Sequence, residues 1–121
     1  MSAGAPRRDS RWWGWGDPAH ESRLPPDAVR LLAERIGTGE GGRVALGDVR
    51  LPEARSIPQT VARAAGADRV FAGDEDRLRH AAGQSYPDLI RMRSGQIDEA
   101  PDAVLVPPDA AAIAGILSAA S

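Results

Sequence analysis

The chain contains no cysteine and no lysine. Without cysteine there is no disulfide, no thiolate nucleophile and no cysteine metal site, a composition compatible with a reducing cytoplasm. All 15 basic residues are therefore arginine, which excludes Schiff-base chemistry and the lysine of a phosphate-binding P-loop. Aromatic residues are scarce: three Trp, one Tyr and one Phe. Leu, Ile, Val and Phe together number only 23 of 121 residues, close to the level at which a chain lacks the apolar surface to order itself. A net charge of −2 removes the other half of that disorder signature, and with it any long-range attraction to nucleic acid or an anionic membrane. No apolar run approaches the ~20 residues that span a bilayer. Arg7 and Arg8 are followed by no apolar stretch, so no secretory signal is expected. The composition predicts a thin core, better ordered when packed against something larger.

Along the chain, residues 1–10 read as a disordered tail and residues 11–100 as a mostly helical segment. Pro26 and Gly37 frame a helix over 27–36, with Val29, Leu32, Ala33 and Ile36 in one apolar stripe. Four glycines make residues 37–42 a loop. Val44, Leu46, Val49 and Leu51 predict an extended stretch turning at Gly47-Asp48. A short helix over 57–65 is expected to start from Ser56 as N-cap, with Pro58 in its first turn and Gly66 at its end. Asp74 is expected to cap another, with Glu75 and Asp76 favourable against the helix dipole and Gly83 as the stop. Pro87 opens a further helix through Met92, after which Ser94-Gly95 turns the chain. Ala103-Val104-Leu105-Val106, bounded by Asp102 and Pro107-Pro108, predicts a buried strand. Asp109 then caps a helix with Ile113, Ile116, Leu117 and Ala120 on one face. Strand followed at once by helix is half of a parallel βαβ unit, whose second strand would lie beyond Ser121.

Three segments carry a family resemblance. Trp13-Gly14-Trp15-Gly16 is similar to an early Trp-x-Gly-Trp-Gly signature. Residues 77–95, which include Arg77, His80, Ser85, Tyr86, Pro87 and Arg93, resemble the stretch before a flavin domain. Residues 101–109, ending in Val106-Pro107-Pro108-Asp109, look like that domain's first strand and helix start. In this order they resemble the FAD-linked oxidase superfamily with the vanillyl-alcohol-oxidase (PCMH-type) fold, and within it the alkylglycerone-phosphate synthase branch. The resemblance implies an α+β fold: a helical N-terminal cap segment over 11–100, then the first strand and helix of a PCMH-type FAD-binding domain over 101–121, incomplete. It implies a parent flavoenzyme that exchanges an acyl group for a fatty alcohol on dihydroxyacetone phosphate, in ether-lipid synthesis. The partner would be the remainder of that chain, and the parent admits a homodimer. A flavin-linked 2-hydroxy-acid oxidase or dehydrogenase on the same fold is the alternative, and a non-catalytic interaction module is a third reading. The family's glycine-rich flavin loop and catalytic residues lie downstream of Ser121, so no catalytic, cofactor-binding or metal residue is expected here. The fragment alone is expected to be inactive and to hold no FAD.

The single features are weighed in the same way. A Trp cluster beside Arg7, Arg8 and Arg11 has the parts of a single-strand nucleic-acid platform, but the charge balance favours a packing anchor, each Trp having ~150–250 Å² to bury. Trp13, Trp15, His80, Tyr86 and Pro107 are the signature residues that serve as channel or packing candidates, and His80 and Tyr86 read more simply as hydrogen-bonded boundary residues. His20-Glu21 has no second ligand pair for a metal. Arg77, Arg79, Arg91 and Arg93 have the fork geometry for a phosphate, yet surface or salt-bridged roles are the simpler expectation.

Overall fold

The computed structural model describes residues 5–39 and 41–121. Five helices and one two-stranded antiparallel sheet give an α+β architecture. The first helix, α1, spans Pro26–Ile36, with proline in its first turn and Gly37 at its C-cap at φ 81°. A 3₁₀ turn follows at Leu46–Asp48, and a second lies at Ala67–Arg69. Helix α2 is Gln59–Ala65, strand β1 is Val70–Phe71, helix α3 is Asp74–Arg79 and helix α4 is Tyr86–Ser94. Strand β2, Val104–Leu105, leads into helix α5, Ala110–Ala120. None of the helices among the described residues is long and apolar enough to cross a membrane.

The core is small and sits where α3 and α4 meet the Trp segment. Trp12, Leu78, Leu89 and Met92 are its buried members, with Trp13, Val44, Val49, Leu51 and Ile97 packed round them. Leu78 and Leu89, each 1 % exposed, are the most deeply buried large side chains among the described residues. A second layer forms where α5 lies on α2, covering Val61 and Ala65. Gly115 lies beside Ala64 of α2, where an added Cβ would make an ordinary van der Waals contact at 3.7 Å.

Several expectations need correction. The stretch from Val44 to Leu51 is not a hairpin: Gly47-Asp48 lies in the 3₁₀ turn, and Arg50 makes an isolated parallel bridge with Gln96. The backbone N–H groups of Val44 and Arg50 instead donate to the Arg93 and Gly95 carbonyls, which lays the segment along the end of α4. Ser56 caps nothing, because α2 starts after Pro58. Asp74 is the first residue of α3 rather than its cap, which is Gly73, and the helix stops at Arg79 with His80 as C-cap, before Gly83. The 103–106 strand is shorter and only half-buried. It pairs antiparallel with the upstream β1, Val70 opposite Leu105 and Phe71 opposite Val104, so within this chain it does not begin a parallel unit. On α5, Ile116 with Ala112 and Ala119 forms the half-buried face against α2, while Ile113 and Leu117 are exposed. The smaller residues win because Ala and Gly allow the closest approach of two helices. The α1 stripe is amphipathic as expected, but it has no buried member.

Candidate functional site

The signature segment 77–95 becomes α3, a connecting loop and α4, held by caps and arginine braces. Ser85 is the N-cap of α4: its Oγ accepts from the Asp88 N–H and donates to Asp88 Oδ2 at 2.6 Å. That hydrogen bond, with support from Arg91, holds the Asp88 carboxyl below the usual carboxylate range. Gly95 ends the helix in the left-handed region at φ 75°, with Val44 packed so close that a Cβ would meet its Cγ2 at 2.5 Å.

Arg77 is the feature that sequence reasoning placed least well. Its side chain is 4 % exposed. Nε donates to the Pro101 carbonyl at 2.8 Å, Nη2 to the Pro52 carbonyl at 2.6 Å, and Nη1 to Asp74. One planar fork therefore ties three stretches of chain together, which a lysine could not do. Arg79 lies on Glu75 and donates to the Ser10 carbonyl at 2.6 Å. Arg93 donates to the Trp13 carbonyl at 2.8 Å, and Arg91 pairs with Asp88. All four arginines are thus engaged within the chain. Asp76 is buried too, and takes both Nε and Nη2 of Arg8, at 3.1 and 2.8 Å. It is an ion-pair partner for the N-terminal segment as well as first-turn charge. The spacings Asp74/Arg77 and Glu75/Arg79 were the signal available for two of these pairs.

Trp12 and Trp13 pack edge-to-face at 5.7 Å, with the Arg43 guanidinium 3.8 Å above the Trp13 ring. Trp15 is exposed, and its Nε1 donates to the Gln84 carbonyl. Trp13 and Trp15 are therefore brought against the signature segment. His80 Nδ1 bonds to the Asp76 carbonyl at 2.8 Å, Tyr86 stands exposed at the start of α4, and Pro107 is half-buried just past β2, on the sheet rather than on the signature segment. These five do not converge on one point.

A half-open cleft of about 440 Å³ lies beside α4, lined by residues 81–83 and by Asp88, Arg91, Met92, Gln96, Ile97, Asp98 and Glu99. Its charge is mainly acidic, yet no group of three His, Cys, Asp or Glu among the described residues is placed to hold a metal. Nor does the glycine loop suit a flavin diphosphate. Gly37, Gly39, Gly41 and Gly42 follow helix α1 and are succeeded by a 3₁₀ turn, whereas a dinucleotide phosphate loop follows a strand and opens a helix. At the other end, Asp102 accepts from the Arg55 N–H and guanidinium, which together hold its carboxyl below the usual range.

No protein-family model matches the chain. Protein Rv2250A of Mycobacterium tuberculosis is 35 % identical over 102 residues, covering 80 % of this chain and 68 % of that protein. The chain belongs to the family of Rv2250A. Among solved structures, this Rv2250A-family chain resembles alkyldihydroxyacetonephosphate synthase in two crystal forms. TM-scores are 0.72 and 0.75 at 21 % identity, over 93 and 97 % of this chain and 26 and 27 % of those chains. At that identity the likeness shows the fold. The Rv2250A-family chain spans about a quarter of the length of the synthase structures. Rv2250A itself must be far shorter than they are, since the same chain covers 68 % of it.

Proposed function

We propose that this chain serves as the N-terminal packing segment of an FAD-linked enzyme of the alkylglycerone-phosphate synthase type, with residues 101–121 beginning its PCMH-type flavin domain. The observation that carries the reading is the fold match over nearly the whole chain to one quarter of a synthase. Its signature residues behave accordingly. Trp13 packs against the core, while Arg77, Arg79 and Arg93 bind carbonyls rather than facing solvent as a ligand site. In this reading the flavin supplies the hard chemistry elsewhere in the enzyme, and the chain contributes rigidity and position. The acyl-for-alkyl exchange on dihydroxyacetone phosphate belongs to the whole enzyme.

Affinity purification of the tagged chain from cells that naturally make it tests this directly. The expected product contains FAD in fixed ratio to the tag. A flavin-free preparation at physiological expression would sink the proposal. A second reading, an interaction module that works as a separate polypeptide, is favoured by the short length of Rv2250A and by the exposed apolar side chains of α1 and α5. The size of the tagged chain in that preparation separates the two.

A further inference from the structure

Helix α1 is amphipathic on the outside of the molecule. Val29, Leu32 and Ile36 share one face, and Arg30 and Glu34 lie opposite, where Leu31 is also exposed. Their exposures are 52, 44 and 80 %, and α1 has no substantial contact with any other helix or strand described. An isolated helix of 11 residues is marginal in water, and helices of this length normally owe their stability to a packed apolar face. The described contacts therefore leave this face open to a partner.

Resting on the reading of the chain as part of an FAD-linked enzyme, we propose that the Val29–Leu32–Ile36 face of α1 docks into an apolar groove on the flavin-domain body of that enzyme. Two considerations select this occupant. The first is size. A second copy of the chain, meeting α1 to α1, would join two stripes of three or four side chains, well short of the ~800 Å² per partner of a stable interface. A groove that wraps one helix covers the same stripe from three sides, the usual way an amphipathic helix is received. The second consideration is continuity. The matched span in the synthase structure covers 97 % of this chain, so α1 lies inside it, and roughly three quarters of that synthase remains to form such a body.

Site-specific photocrosslinking in cells that make the chain tests the face. A photoreactive residue replaces Ile36 in one strain and Glu34 in another. The expected result is a crosslink from position 36 to an FAD-binding polypeptide of the synthase fold, or to flavin-domain peptides of the same polypeptide, and none from position 34. The double variant Val29→Gln, Leu32→Gln should abolish the position-36 crosslink and, where the flavin domain is a separate polypeptide, lower the FAD recovered with the tagged chain at least ~tenfold, while its circular dichroism matches wild type because both residues are exposed and Gln is a good helix former. If position 36 crosslinks to a second copy, to another protein or to nothing, the proposal is overturned. The same holds if the double variant keeps the position-36 crosslink. In either case FAD still co-purifying with the chain leaves the enzyme-segment reading standing, whereas its absence from the wild-type preparation removes both.

Discussion

At the residue scale, the arginines do the work that a larger apolar core would otherwise do. Arg77 bridges Pro52, Pro101 and Asp74 while almost fully buried. Replacing it with Ala leaves two carbonyls without their donor, each worth ~1–3 kcal/mol when buried and unpaired. Arg77→Ala should therefore cost about 3 kcal/mol in urea unfolding, and Arg77→Lys most of that, because an ammonium cannot reproduce the planar fork. Equal midpoints for wild type and the Ala variant would contradict this role. Asp88 gives a pH signature of known sign. Its folded pKa lies below the ordinary carboxylate value because Ser85 and Arg91 bond the charged form. Its contribution is thus present above the unfolded pKa of ~3.9 and is lost as pH falls below it through the folded value. Asp102, held by Arg55, acts in the same direction. Thermal melts from pH 5 down to pH 2 should show falling stability, with a shallower slope in Asp88→Asn.

Elements were legible where a local rule decides them. Pro26 and Gly37 bounded α1 because proline suits a first turn and glycine a positive φ; Asp109 capped α5 because its Oδ1 takes the Ala112 N–H at 2.8 Å. Other features depend on tertiary context. Strand β1 is two residues long, too short to show a period, and it exists because β2 pairs with it across some thirty residues of chain. On α5 the apolar spacing places Ile116 on the covered face but not its neighbours: Ile113 and Leu117 stay out while the small Ala112 and Ala119 join Ile116 there. Among the signature residues, Trp13 packs on the core while Trp15 stands exposed against the Gln84 carbonyl; the burial of Asp76 depends on Arg8, 68 positions away, and only the Asp74/Arg77 spacing hints at the burial of Arg77. Gly95 offers a test at this scale. Its φ of 75° and the nearness of Val44 predict that Gly95→Ala destabilises by about 1–2 kcal/mol from backbone conformation alone, with more from the clash. Gly39→Ala, in open space, should be neutral in the same denaturation assay.

For the whole molecule, stability should be graded from one end to the other. Leu78, Leu89 and Met92 gather α3 and α4 round Trp12, while α1 buries none of its residues. Amide hydrogen exchange should then be slowest in α4 and fastest in α1, since local opening costs least where apolar contacts are fewest. Uniform protection across both helices would contradict this picture. Substituting Ile36 by Asp in the chain alone should change its unfolding free energy by no more than ~0.5 kcal/mol, as for other exposed positions. The molecule is thus firm on the side built by the signature segment and unfinished on the side of α1.

The edge-to-face pair of Trp12 and Trp13, 5.7 Å apart with planes at 78°, has an optical consequence. Two indole transition dipoles that close, and neither parallel nor collinear, couple into a split pair of absorption bands of opposite rotational strength. The folded chain should carry such a couplet in its far-ultraviolet circular dichroism, superimposed on the helical signal. Because Trp15 stands apart on Gln84, Trp12→Phe should abolish the couplet and Trp15→Phe should leave it, giving a spectroscopic reporter for whether the N-terminal segment is seated.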